Sequence, residues 1–163
     1  MKQLFHIESN TESIQPVLSI MFSDKYVVYT IADKEAEKLN RLNFCRVEEW
    51  SDDTLDDLFN TYSELKENYY QVLISYNFRQ SMLVPAQSFR KSDGGVLLSG
   101  ISGVSENNSV VSEAIPEWQL YNVYAVPDHV HDRLRKQFSR ATFRHQVSLE
   151  LRNANAASAE GCF

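Results

Sequence analysis

Two runs of β-branched and aromatic residues, joined by a short polar turn, constrain the fold of this chain more than any other feature. The runs are residues 18–22 and 26–32, and Ser23, Asp24 and Lys25 lie between them. Residues of these types favour extended strands, and a connection this short brings consecutive strands side by side. The sequence therefore predicts an antiparallel β-hairpin.

The residues after the hairpin predict a third strand and then a helix that packs on the sheet. Residues 41–48 alternate between the two faces of an extended strand, which completes a three-strand antiparallel meander. Residues 52–66 place apolar side chains at three- and four-residue steps, and Ser51 stands at the N-cap position. The apolar stripe of this helix is made of Leu55, Leu58, Phe59, Tyr62 and Leu65.

Strands and helices alternate in the rest of the chain. Further strands are predicted at residues 70–76, 119–126 and 142–145, with residues 81–84 extending or re-entering the sheet, and helices at 128–138 and 146–153. The glycine-rich residues 92–108 are predicted to be irregular surface, with one short helix within them as the alternative. We expect an α/β fold with an α+β mixed sheet, as a single subdomain over residues 1–153 with a flexible tail over residues 154–163.

Glycine is scarce, and its placement excludes the common nucleotide-binding loops. The chain has five glycines, and none occurs in the first 93 residues. An N-terminal Walker loop or dinucleotide fingerprint is therefore excluded. Residues 95–100 have the glycine spacing of a Walker loop, but Ile101 stands where the phosphate-binding lysine is needed. We predict a flexible surface segment there.

The charge of the chain argues against a general nucleic-acid binder, which needs clustered Lys and Arg. The formal net charge is −6; residues 1–70 have a net charge of −7 and residues 128–163 one of +2. The basic segment predicts a docking surface for an acidic partner or for the chain's own acidic half, with a solvated helix face as the alternative. The concentration of bases within it is Arg133, Arg135, Lys136, Arg140 and Arg144.

Six acidic residues and one histidine pair are the candidate metal ligands, and neither set has the spacing of a metal site. The acids fall at the start of the predicted helix, where they complement its dipole, and they lack the spacing of a calcium loop. His129 and His131 would point to nearly opposite sides of a helix, so we predict surface histidines and no bound metal. The acids are Glu48, Glu49, Asp52, Asp53, Asp56 and Asp57.

Cysteine usage and hydropathy predict a cytoplasmic protein that does not bind a membrane. Cys45 and Cys162 lie far apart and form no CxxC pair, which is typical of a reducing compartment. The N-terminal residues lack the apolar core of a signal peptide, and no apolar run approaches the roughly 18 residues of a membrane-spanning helix. The sequence contains no Gly-x-Ser-x-Gly nucleophile elbow, and no catalytic residue is predicted.

Several stretches of the sequence are similar to one known family. They are the start of the hairpin at residues 18–20, Ser81-Met-Leu-Val-Pro-Ala-Gln-Ser-Phe89, residues 122–138, and Phe143-Arg-His-Gln-Val-Ser-Leu-Glu-Leu151. Together they resemble an uncharacterised bacterial family of domains of unknown function, whose structural members look like actin-like ATPases. The resemblance covers residues 13–153, and it implies the ribonuclease H-like plan of three meander strands followed by alternating helices and strands.

The resemblance implies a phosphate site at the hairpin turn, where Ser23, Asp24 and Lys25 are the candidates for binding ATP with Mg²⁺. Actin-like ATPases use Asp and Gly there, and this turn has no glycine. Family members are also longer, with a second subdomain that closes the nucleotide cleft. A ribonuclease H-like nuclease is disfavoured, because residues 18–22 contain no carboxylate to hold a catalytic metal.

Two functional hypotheses remain at this point. The first is a non-catalytic interaction or scaffold domain without a cofactor, completed by a protein partner, a second subdomain or a second copy of the chain. The second is an ATP-binding actin-like half with a degenerate phosphate loop.

Overall fold

The computed structural model describes residues 1–9, 14–35, 38–103 and 106–159, which form two compact units. The first unit contains Met1–Tyr76 and His129–Phe143, and the second contains Asn77–Asp128 and the chain from Arg144 onward. Cys162 and the end of the predicted tail lie outside the described residues.

Nine strands and four α-helices are assigned within the described residues. The strands are β1 Lys2–Glu8, β2 Val17–Ser23, β3 Tyr26–Ala32, β4 Leu39–Arg46, β5 Gln71–Asn77, β6 Ser81–Pro85, β7 Asn108–Ile115, β8 Leu120–Pro127 and β9 Thr142–His145. The helices are α1 Asp52–Thr61, α2 Gly94–Ser102, α3 Asp128–Gln137 and α4 Gln146–Ala159.

The larger sheet has the strand order β1-β4-β3-β2-β5-β9, and its predicted meander is confirmed. The strands β2, β3 and β4 pair antiparallel in sequence order, as the hairpin and the third strand predicted. The edge strand β1, antiparallel to β4, was not predicted. A register shift between Gln3 and Phe5 interrupts β1, so its apolar residues do not alternate along the sequence as they do in a regular strand.

One face of this sheet, which we call the inner face, is covered by helices. Leu18, Ile20 and Phe22 of β2 point to it and are at most 1% exposed. The apolar stripe of α1 supplies the other side of this core, with Leu55 and Leu58 fully buried. The side-chain oxygen of Ser51 accepts a hydrogen bond from the backbone N–H of Thr54, so the predicted N-cap is confirmed.

The predicted helix over residues 52–66 is interrupted at Tyr62. α1 ends at Thr61, and a short 3-10 helix follows over Ser63–Lys66. The hydroxyl of Tyr62 donates a hydrogen bond to Oε1 of Gln3 at 3.0 Å and contacts Sγ of Cys45 at 3.1 Å. These contacts tie the end of α1 to the sheet, which the apolar spacing of the sequence does not encode.

The second unit contains a separate antiparallel sheet with the strand order β6-β8-β7. The expectation that residues 81–84 extend or re-enter the first sheet is therefore wrong, because β6 pairs with β8. The strand β7 was not predicted at all. Val84, Leu98, Val123 and Ala125 form the buried core of this sheet and α2.

The glycine-rich segment and the predicted tail are both more regular than the sequence indicated. Residues 94–102 form α2, which packs on the second sheet through the buried Leu98. α4 continues six residues past the predicted end at Asn153, through a segment rich in alanine, the best helix former. The single subdomain over residues 1–153 stays a prediction.

Two glycines near the end of α2 give a matched test of this helix. An added Cβ on Gly100 meets no atom within 4 Å, whereas Gly103 has a φ of +62° at the helix C-terminus. Gly100→Ala should raise the free energy of unfolding by about 0.5–1 kcal/mol, because alanine is the better helix former. Gly103→Ala should lower it, because an L-residue is strained at that φ. Urea unfolding followed by circular dichroism measures both, and equal shifts of the same sign would contradict the assigned helix end.

Candidate functional site

The hairpin turn, predicted as the phosphate site, has its polar groups engaged within the first unit. The indole Nε1 of Trp50 donates a hydrogen bond to the backbone carbonyl of Ser23 at 2.7 Å, and its ring packs on Phe22 with centroids 5.2 Å apart. Nζ of Lys25 donates to the backbone carbonyl of Glu48 at 2.7 Å. Ser23 is only 5% exposed, while Lys25 is exposed. The side chain of Trp50 therefore packs against the turn, and the assignment of Ser23, Asp24 and Lys25 as a phosphate site stays a prediction.

The basic residues of α3 partly pair with the acidic residues of α1. The guanidinium of Arg133 donates to a carboxylate oxygen of Asp56 and lies over the ring of Phe59. The guanidinium of Arg135 lies 5.5 Å from the centroid of the Phe143 ring. Within the first unit, one base of the segment, Arg133, thus pairs with one acid of α1, and the docking surface stays a prediction.

The other three basic residues are not part of one cluster with these. Lys136 and Arg140 are exposed at the end of α3 and just after it. Arg144 belongs to the second unit, where its Nε lies 3.3 Å from Oε1 of the buried Glu113. The interaction surface predicted from these five residues therefore stays a prediction.

The histidine pair of α3 has structural contacts, and the prediction of surface histidines is wrong. Both side chains are half-buried. Nε2 of His129 lies 3.0 Å from the backbone carbonyl of Trp50, and Nδ1 of His131 lies 2.9 Å from the hydroxyl of Tyr76. Among the described residues, no group of three or more His, Cys, Asp or Glu is arranged to hold a metal ion.

A polar network lies on the inner face, between β3, β4 and the 3-10 helix. The hydroxyl of Tyr29 donates to Oε1 of Glu64 at 2.6 Å and accepts from the side-chain amide of Asn43. Arg41 binds the carboxylates of both Glu64 and Glu8. Every charged group here has an opposite charge beside it, which is how a fold stabilises partly buried ions.

The pKa shifts in this network follow from burial and pairing. Burial, followed by the hydrogen bond to Glu64, raises the pKa of Tyr29 far above its usual range. Burial alone would raise the pKa of Glu64, but hydrogen bonds from Tyr29 and Arg41 bring it below its ordinary value. Neither group is poised to exchange protons near neutral pH, so the network has a structural role.

The opposite face of the sheet, which we call the outer face, also carries apolar side chains. Cross-strand partners in register share a face, so the outer face can be traced across β1, β4, β3 and β2. Three rows of side chains run across the strands on this face, and each is named after its members on β1 and β4. The aromatic row is Phe5, Phe44, Val28 and Met21, and the aliphatic row is Ile7, Leu42, Thr30 and Ser19. The basic row is Lys2, Arg46 and Tyr26.

The side chains of the outer face are open to solvent. Phe5 is 51% exposed and Ile7 is 40% exposed, and the remaining apolar members of the two rows are half-buried. α1 and the 3-10 helix make their observed contacts on the inner-face side, and α3 contacts α1 through Arg133 and Asp56. No helix of the described first unit therefore accounts for the apolar composition of the outer face.

The bulge in β1 determines which side chains reach the outer face. Gln3 pairs with Cys45 and lies on the inner face, whereas Phe5 pairs with Phe44 and lies on the outer face, with Leu4 unpaired between them. In a regular strand Lys2 and Phe5 would lie on opposite faces, since they are three residues apart. The shift brings both to the same face, as bulges commonly re-aim side chains.

The basic row ends at an open cleft of about 660 Å³. Lys2 and Arg46, directly opposite each other in register, line the cleft together with Glu48, Glu49, Ser51 and Thr54. Within the described residues neither base forms an ion pair of 4.0 Å or less. Sequence reasoning missed this site because it depends on β1 and on its bulge.

A solved structure from Bacteroides thetaiotaomicron VPI-5482, described as a protein with actin-like ATPase fold and unknown function, superposes with a TM-score of 0.74 at 20% sequence identity. The match covers 83% of this chain and 54% of that chain. This chain therefore has the actin-like ATPase fold and spans about half the length of that neighbour.

A family model matches most of the chain. The protein belongs to the DUF3822 family, described as proteins of unknown function, whose model matches residues 7–161. The expected resemblance is thereby confirmed. No curated protein is similar enough to count as a relative. In the described part of the chain, none of the helices is long and apolar enough to cross a membrane.

A buried histidine makes the second unit sensitive to pH. His145 is 1% exposed; its Nδ1 accepts from the backbone N–H of Val147 at 3.3 Å, and its Nε2 lies 3.4 Å from the carbonyl of Phe78. Burial lowers the pKa of His145 below 6.5. As the pH falls below about 6.5, the unfolded chain takes up a proton that the folded chain resists, so stability should decrease.

His145→Asn tests this assignment, because asparagine retains a capping group for α4 and does not titrate. The measurement is the free energy of unfolding from pH 8 to pH 5 for both proteins. The wild type should lose stability on acidification more steeply than the variant. Parallel pH profiles would show that His145 is not the group responsible.

Proposed function

We propose that this chain is a non-catalytic interaction domain that binds a protein partner through the outer face of its larger sheet, across the antiparallel strands β1, β4, β3 and β2. The observation that carries this proposal is the aromatic row, which crosses four strands and leaves Phe5 51% exposed. An antiparallel sheet with one solvated face normally alternates apolar and polar residues. Apolar side chains on both faces are typical of a sheet that is covered on both.

The contacts made by the hairpin turn favour the interaction domain over the alternative, an ATP-binding actin-like half. Phosphate binding in a turn needs donors, and one of the three N–H donors on Nζ of Lys25 is used by the carbonyl of Glu48. The indole N–H of Trp50 bonds the carbonyl of Ser23, and its apolar ring packs beside the turn on Phe22. The contact with Lys25 also brings the acidic segment Glu48-Glu49, which would repel phosphate, beside the turn in space.

Mg-ATP should therefore leave the melting temperature of the protein unchanged. A ligand that binds the folded state alone stabilises it by about 2.7 kcal/mol at a hundredfold excess over its dissociation constant, which makes the measurement sensitive. Differential scanning fluorimetry at millimolar Mg-ATP provides the readout. A saturable upward shift that Lys25→Ala abolishes would contradict the proposal and favour the ATP-binding alternative.

The outer face itself is tested by affinity purification from cells that express the protein natively. The double variant Phe5→Asp with Ile7→Asp places two negative charges on the outer face. Leu83→Asp is the control, because Leu83 is an apolar residue 42% exposed on β6 in the second unit. The wild type and the control should retain the same partner, and the double variant should lose it. Circular dichroism checks that all three are folded. Equal retention by all three proteins, or no retained protein, would contradict the proposal.

A further inference from the structure

We infer that the occupant of the outer face is an amphipathic helix of a separate, acidic protein, whose carboxylates pair with Lys2 and Arg46. This inference rests on the proposed function and adds to it the chemistry of the partner. It is carried by the position of the basic row beside the two apolar rows.

The spacing of the rows matches the width of one helix. Alternate residues on a strand are about 7 Å apart, and an α-helix with its side chains is about 10 Å wide. One helix can therefore cover the aromatic and aliphatic rows together. The basic row, next along the strands, then lies beside the flank or the end of that helix.

The charges of the basic row lack a counterpart on their own face. Lys2 and Arg46 are direct cross-strand neighbours, and like charges in this position destabilise a sheet. Glu48 and Glu49 line the same cleft, but neither comes within ion-pair distance of the two bases in the described part of the chain. A carboxylate brought by the partner would relieve this repulsion.

The bulge in β1 favours a partner that binds the outer face over a partner strand that pairs with the edge of the sheet. Edge-to-edge pairing requires a regular row of free N–H and C=O groups, and the shift between Gln3 and Phe5 interrupts that row on β1. The same shift places Lys2 beside the apolar rows. A second copy of the chain is a poorer occupant, because its outer face presents the same two bases and would repel them.

Two designed peptides test the inference. Both are 18-residue amphipathic helices with the same leucine stripe; one has glutamates on its flanks and the other has lysines at the same positions. Fluorescence anisotropy measures their binding to the protein. The glutamate peptide should bind about tenfold more tightly, since two surface ion pairs contribute about 1.4 kcal/mol. Its advantage should shrink as the salt concentration rises.

Variants separate the charges from the apolar rows. Lys2→Glu with Arg46→Glu should reverse the preference between the peptides, whereas Arg90→Glu with Lys91→Glu, an equal charge change in the second unit, should leave it unchanged. Phe5→Asp with Ile7→Asp should weaken the binding of both peptides.

The outcomes distinguish this inference from the proposed function. Equal binding of the two peptides, lost in the Phe5/Ile7 variant, would overturn the acidic partner and leave the outer face as a docking surface. Binding that the Phe5/Ile7 variant retains, or no binding of either peptide, would overturn the inference, and the affinity purification would then decide the proposed function. A wild-type dimer that the same variant dissociates would also overturn it, in favour of a second copy.

Discussion

The cross-strand register of β1, β4, β3 and β2 is the constraint on which the rest of the first unit depends. Because side chains alternate along a strand, one register decides both which residues form the core under α1 and which form the outer face. The inner face is closed by the α1 stripe and by the network around Tyr29 and Glu64. The outer face carries the apolar side chains of the aromatic and aliphatic rows, and no observed contact in the described part of its own unit places a helix over them.

The sequence predicts the strands and helices in which apolar residues recur at a regular spacing. The hairpin, the third strand, β5, β8, α3 and the start of α1 all follow from alternation or from three- and four-residue spacing. The edge strand β1 is not predicted because its bulge breaks the alternation, and α2 is predicted only as an alternative to irregular structure because glycine has a low helix propensity. Tertiary contacts override propensity in both places, through the pairing of β1 with β4 and through the burial of Leu98 against Val123.

The candidate site is predictable from the sequence only in part. The hairpin turn was located correctly, but the side chain that closes it, Trp50, is 27 positions away from Ser23 and has no local signature. The outer face required the register of four strands, and a bulge cannot be placed from one sequence alone. The family and the neighbour define the fold without adding a function, so the assignment of a docking surface rests on exposure, register and charge.

Site-specific photocrosslinking tests the central claim most directly. Benzoylphenylalanine in place of Phe5 replaces one exposed aromatic residue of the outer face with another, and the same replacement at Tyr70, 54% exposed in the same unit, is the control. Irradiation in native cells should give a discrete adduct with one protein from position 5 and none from position 70. The absence of an adduct at position 5, or the same adducts from both positions, would contradict the account.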